Sequence, residues 1–399
     1  MAVNLAAHHT FFPQLSSSSS SSNAQKLQFN PASSLRSCLN SASTKIPKNS
    51  ISAINCASAS AVSTAEVSAA KEDFLPPLEV SEIVAKCRKW VWRGYTINYF
   101  VYPESNSDTA AMNPPLLLVH GFGASIAHWR RNIPTLAQSS TVYAIDLIGF
   151  GASDKPAGFQ YSMEVWAQLI LDFLDEIVQR PTVLLGNSVG SLAYVIAAAV
   201  MQIADFDLAK IIFKANDGEE SVIRVVGTYG IDSPKAIVDD WRIKLFLPLL
   251  WLVDFLLKQR GIASYLFDRV RQRDSLRNVL LSVYGNKESV DDDLVEIIRK
   301  PALDEGALDA FVSIVTGPPG PNPVQLIPKI TLPVLVLWGD QDPFTPIDGP
   351  VGKYFSSLPG QLQNVNLFLL EGVGHCPHDD RPDLVHERLL PWLASISVS

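Results

Sequence analysis

The sequence predicts an α/β protein whose mostly parallel, doubly wound sheet is interrupted by an inserted helical cap. Three observations carry that expectation. Short, wholly apolar runs such as Leu116-Leu117-Leu118-Val119 alternate with segments whose apolar residues recur at helical spacing. One such run leads straight into Gly186-Asn187-Ser188-Val189-Gly190. Finally, about 130 residues separate the helix after that turn from the next apolar run at Pro333, far more than a single crossover uses.

Composition narrows the class. The chain has 399 residues, 47% hydrophobic and 18% charged, which is globular and long enough for one large α/β domain with an insertion or for about two domains. Lys and Arg number 32 against 40 Asp and Glu, a net charge of -8. That balance argues against a nucleic-acid partner, because phosphate binding needs clustered positive charge. Cys38, Cys56, Cys87 and Cys376 show no Cys-x-x-Cys pairing, so neither a zinc site nor a disulfide framework is expected. Cys87 and Cys376 read as free thiols. No run of 18 apolar residues exists, and no spanning helix is expected.

The N terminus reads as an address. No acidic residue occurs before Glu66, serine is unbroken from Ser16 to Ser22, and Lys26, Arg36, Lys45 and Lys48 are the only lysines and arginines before Cys56. Serine-rich, acid-free and mildly basic is the composition of a plastid transit peptide, here residues 1–56, and Ile54-Asn55-Cys56-Ala57 fits its cleavage site. The competing reading is a plain disordered tail. Residues 57–85 read as a flexible linker.

Folded chain is expected from about Lys86, with residues 86–203 as the first part of the core. Residues 89–92 and 96–101 alternate in period two around Arg93-Gly94, an antiparallel hairpin. After Leu116–Val119 come a helix near 129–136, a strand over 141–145 and a turn-rich loop, Asp146 to Ser153. A helix follows over 163–178, with Asp172, Asp175 and Glu176 on its outer face, then a buried strand at 182–185. Residues 204–328 are the inserted segment and cap, and 329–399 the second part of the core.

Gly186 to Gly190 joins a strand to the helix-like residues 191–201, which is what a nucleophile elbow requires. The turn is so tight that side chains at the glycine positions would collide, and Ser188 is pushed out of the sheet. An ordinary glycine-rich turn is the competing reading. A serine hydroxyl needs a histidine to take its proton, and that imidazole needs a carboxylate to fix its tautomer. His375 follows an apolar strand within Gly372-Val373-Gly374-His375, and His378 is its rival. His386 sits among leucines as a helix histidine, and His120 reads as a prop for the Gly121 loop. The carboxylate should follow the strand 333–338, where Asp342 is preferred because it reaches further toward the histidine than Asp340. The oxyanion hole calls for backbone amides, those of Val189 and Phe122.

The order Ser188, Asp342, His375, with the His120-Gly121-Phe122-Gly123 loop and residues 146–153, resembles the α/β-hydrolase superfamily from Trp90 to Leu393. The transit peptide, Gly186 to Ser191 and Val238-Asp239-Asp240-Trp241-Arg242 look most like the plastid chlorophyll dephytylases and the related pheophytinases. That resemblance implies hydrolysis of the ester between a chlorin propionate and a phytyl chain, in the chloroplast, with no metal or redox cofactor. The nearly all-apolar run 245–257 reads either as a buried cap helix or as a wall for a long chain, contributed by Leu245, Leu249 and Trp251, with peripheral contact to the thylakoid membrane as an extension. Carbon–carbon bond hydrolysis, general carboxylesterase activity and small-molecule sensing on the same fold are the alternatives. Oligomeric state is not legible. Residues 204–220 depart from the family pattern and read as a local insertion or an alternative transcript, ahead of a candidate strand at 222–226.

Overall fold

The computed structural model describes residues 75–103, 113–203, 224–228, 252–317 and 320–397. The transit segment, residues 204–220, the 238–242 motif, and Leu245, Leu249 and Trp251 lie outside the described residues. A helix, α1 (Val80–Lys86), occupies the end of the stretch read as linker.

The hairpin forms as its pattern demands. β1 (Arg88–Trp92) and β2 (Tyr95–Tyr102) pair antiparallel. Arg93 and Gly94 both take positive φ, 50° and 85°, which a two-residue connection needs to match the strand twist. The indole N–H groups of Trp90 and Trp92 donate to Glu176 (2.9 Å) and Asp172 (2.7 Å). Two of the three acidic residues expected on an outer helix face therefore hold the hairpin in place.

β2 then pairs antiparallel with β4 (Val142–Ile145). Every remaining ladder is parallel: β4 with β3 (Leu116–Val119), β3 with β5 (Val183–Asn187), and onward through β6 (Arg224–Thr228), β7 (Val334–Gly339) and β8 (Val365–Leu370). The order is β1-β2-β4-β3-β5-β6-β7-β8. Adjacent strand residues feed opposite cores, as doubly covered strands must. Leu117, Val119, Leu184 and Val336 pack with Trp166, Phe173 and Val195 from α2 (Met163–Phe173) and α3 (Val189–Ile203). Leu116, Leu118, Leu185 and Leu337 pack on the other face with Trp129, Val385 and Leu389.

Three expectations change in detail. The helix near 129–136 is a 3₁₀ turn, Ile126–Trp129, and a single helical turn, Ile133–Leu136. Pro134 lacks the N–H that a continuous helix would need there. The helix at 163–178 loosens into a π turn over Leu174–Val178, closed by Gln179 at φ 54°. β6 starts two residues later than its candidate strand and sits between β5 and β7 in the central sheet.

The described cap includes a helical stretch over 252–257, on which Leu252, Val253 and Phe255 are exposed, followed by α4 (Arg260–Val270), α5 (Arg273–Val283), α6 (Asp292–Arg299) and α7 (Ala307–Val315). No helix among the described residues is long and apolar enough to cross a membrane.

Candidate active site

Ser188 stands between β5 and α3 with φ 53°, a left-handed conformation that is uncommon outside glycine and marks stored strain. The flanking glycines are dictated by space. A Cβ on Gly190 would lie 2.5 Å from the carbonyl oxygens of Val119 and His120, and one on Gly186 would lie 2.4 Å from the Tyr194 ring. Because α3 begins at Val189, that amide belongs to the first helical turn, whose N–H groups lack intrahelical acceptors.

The second loop is pinned close by. His120 is fully buried; its Nε2 accepts from the Leu147 amide (3.1 Å), so its Nδ1–H donates to the Gly121 carbonyl (2.7 Å). Burial holds its pKa below the usual histidine range against the opposing charge of Asp146, consistent with a neutral ring. A Cβ on Gly121 would meet Asn187 Oδ1 at 2.8 Å and Ser188 Cβ at 3.3 Å, so this loop presses directly on the serine. Phe122 follows, its ring edge-on to Phe150 and tilted toward Phe311 of α7. Asp146 accepts from the Ile126 and Ala152 amides and from Asn98, fixing the 146–153 turn beneath.

His375 Nδ1–H donates to Asp342 Oδ2 at 2.9 Å. Asp342 also accepts from the Thr345 hydroxyl (2.7 Å) and from the Phe344 and Thr345 amides. Burial pushes its pKa up, but the His375 and Thr345 interactions outweigh that and hold it below the usual carboxylate range. Asp340 instead accepts from the Gly372 and Val373 amides, tying the turn before the histidine. His378 is fully buried, its ring centre 4.1 Å from that of Trp129 in a tilted arrangement, and lines a different hollow from Ser188. The geometry thus joins Ser188, Phe122 and His375 around one cavity, with Asp342 behind the imidazole.

Asn187 escaped the sequence reading. Its amide donates to the His375 carbonyl (3.1 Å) and its Oδ1 lies 3.6 Å from Cys376 Sγ, so the elbow and the histidine loop are tied by the residue preceding the serine. Phe344 was missed too: it meets the His375 ring edge-on at 4.9 Å. A signal existed for Asn187 in its adjacency to Ser188, but its partner lies 188 residues away.

The cavity measures about 300 Å³ and is walled mainly by Phe267, Leu276, Leu280, Val283, Phe311 and Ile314 of the cap. Its rim carries exposed Phe122, Val270, Val279 and Phe344. The two cations among its described lining residues are engaged: Lys155 with Asp304 and the Gly151 carbonyl, Arg271 with Asp268 and the Ala302 carbonyl. A serine at a strained elbow and an imidazole oriented by an ionised carboxylate form a set suited to acyl transfer in an apolar space.

The chain is similar to known hydrolases. It is 25% identical over 312 residues to an uncharacterized hydrolase, YugF, of Bacillus subtilis, covering 78% of this chain and 99% of that one. It is 22% identical over 324 residues to a chloroplastic pheophytinase of Arabidopsis thaliana, covering 70% of this chain and 61% of the pheophytinase. A meta-cleavage product hydrolase from Pseudomonas fluorescens superposes with a TM-score of 0.54 at 18% identity, over 77% of this chain and 98% of that one. The model of the alpha/beta hydrolase family matches residues 116–388, a span that includes the elbow, the cap and the histidine loop, and the chain belongs to that family.

Proposed function

We propose that this hydrolase cleaves a carboxylic ester of a hydrophobic substrate, with Ser188 as nucleophile, His375 as general base, Asp342 as its orienting carboxylate, and the Val189 and Phe122 amides as oxyanion donors. The observation that carries the reading is the His375–Asp342 pair opening onto the same apolar cavity as the strained Ser188. In the first step His375 takes the hydroxyl proton as Ser188 Oγ attacks the carbonyl carbon. The same proton then passes to the departing alcohol, and water repeats the sequence to release the acid.

The cavity supports a long apolar alcohol or acyl chain. Its volume lies at the low end of the ~300–1,000 Å³ range of ligand sites, so it suits one flexible chain with any bulky ring left at the greasy rim. A phytyl ester of chlorophyll or a related pigment has that shape, and the similarity to pheophytinase supports it. Leu245, Leu249 and Trp251, proposed from the sequence alone as chain-binding residues, lie outside the described residues; the exposed rim would favour uptake from a lipid surface such as the thylakoid. The serine-rich, acid-free N terminus supports a chloroplast address. Carbon–carbon hydrolysis of a substrate carrying a carboxylate is less well served, since both lining cations among the described residues are already paired.

Incubation of the purified chain with chlorophyll, pheophytin and a short p-nitrophenyl ester, with products separated chromatographically, tests this. Phytol release should exceed turnover of the short ester, and Ser188→Ala should lose both by several orders of magnitude. Undiminished turnover in that variant would refute the nucleophile.

A further inference from the structure

We infer that Asp380 is a positioning residue for His375, fastening the loop that presents the imidazole to the base of the cap. The inference rests on the proposed role of His375 as the base for Ser188.

Asp380 lies five residues beyond His375 and is 1% exposed. Its Oδ2 accepts the Gly374 amide, immediately before His375, at 2.6 Å and the Gly285 amide at 2.8 Å. Oδ1 accepts the Asn286 amide at 2.8 Å, and the Asp380 carbonyl accepts the Ser289 hydroxyl at 2.7 Å. One of these four donors belongs to the histidine loop and three to the chain leaving α5. The two segments also touch directly. The His375 amide donates to the Val283 carbonyl at 3.0 Å. A Cβ on Gly374 would lie 2.1 Å from the Val283 oxygen, and a Cβ on Gly285 would lie 2.1 Å from the Gly372 oxygen.

Residues 285–286 and 372–375 belong to no strand or helix, so no regular ladder sets their spacing. The carboxylate supplies the register instead. It can take three N–H groups on two oxygens, whereas an amide offers one acceptor oxygen and turns donors toward the third amide. Placing a charge there is costly: burial raises the Asp380 pKa more than its three amide bonds lower it. Any movement of the cap base is transmitted to Gly374 and so to the imidazole. A displacement of about 1 Å at such a group costs about 100-fold in rate.

The test is the rate at which a fluorophosphonate labels Ser188 in the full chain, read by intact mass and peptide mapping. This reagent requires an activated serine but no knowledge of the natural ester. Asp380→Asn should lower the maximal labelling rate about 10- to 100-fold while the concentration for half-maximal rate stays within about threefold. Asp292→Asn removes an exposed cap carboxylate paired with Arg273 and Arg277 and should label at the wild-type rate. Should Asp380→Asn fail to fold, Ser289→Ala leaves the carboxylate in place, removes the hydroxyl's bonds to the Asp380 carbonyl and from the Asn286 side-chain amide, and should slow labelling by a smaller factor. Wild-type labelling at Ser188 with equally fast labelling of the folded variants overturns the positioning role and leaves the hydrolytic reading standing. Wild-type chain that fails to label at Ser188 removes the hydrolytic reading itself.

Discussion

Asp340 and Asp342 stand two residues apart on one loop, and only their hydrogen bonds separate their tasks. Asp342 meets the histidine ring, while Asp340 accepts two backbone amides through a single oxygen, Oδ1. An asparagine at 340 keeps that acceptor, so Asp340→Asn should retain turnover of the same order as wild type. An asparagine at 342 turns an amide donor or a neutral oxygen toward His375 Nδ1 and favours the wrong tautomer. Asp342→Asn should therefore lower kcat by about 10³–10⁴ with little change in folding. Steady-state kinetics of both variants on one p-nitrophenyl ester decides the matter, and similar losses would overturn the assignment. The sequence narrowed the carboxylate to a two-residue choice because both follow an apolar strand. It could not make that choice alone: the deciding contact spans 33 residues and depends on how far the loop reaches.

At the scale of the element, the elbow shows what was legible and what was not. Glycine at 186 and 190 is a local necessity, and the observed clearances bear out the steric argument made from the pentapeptide. At Gly190 the obstructing atoms are backbone carbonyls at the end of β3 and the start of the loop after it, which cannot rotate aside as a side chain could. Gly190→Ala should thus destabilise the fold by about 1–3 kcal/mol and nearly abolish serine labelling, since relief requires moving β3 or the turn itself. Chemical denaturation beside fluorophosphonate labelling measures both, and an alanine variant with native stability and reactivity would contradict the geometry. The buried strands were equally plain, because runs such as Leu116–Val119 and Val334–Gly339 are covered on both faces. Less visible was β6, whose five residues include Arg224, Gly227 and Thr228; its place between β5 and β7 comes from pairing with strands distant in sequence. The 129–136 segment misled for a local reason, Pro134, whose effect outweighed the apolar spacing around it.

At the scale of the whole molecule, core and cap are joined by buried polar groups. Arg130 bridges Asp379, beyond the histidine loop, to Asp291 at the start of α6, and Tyr284 donates to Asp379 while meeting His128 at 2.7 Å. Around this joint lie His128, His378 and His386, all buried. Burial lowers all three pKa values, that of His386 to about 4 and the others well below the usual range. Unfolded, each would titrate near 6.5, so below about pH 6.5 the unfolded chain binds protons that the folded chain refuses. Stability is therefore full above pH 6.5 and falls as the solution is acidified. Each histidine steepens that fall by up to about one proton, and His386 reaches its limit near pH 4. Asp342 and Asp291, whose pKa values are lowered, lose their contribution only below about pH 4, whereas Asp380, raised by burial, works in the opposite direction. The window between pH 6.5 and 4 thus belongs mainly to the histidines. Thermal midpoints at half-unit steps from pH 7.5 to 4.5 should fall steadily below 6.5. In His386→Gln, which keeps a polar group near Asn132 but cannot titrate, the slope of unfolding free energy against pH should be shallower by about one proton. Parallel curves for the two chains would show that His386 is protonated equally in both states, contrary to its burial.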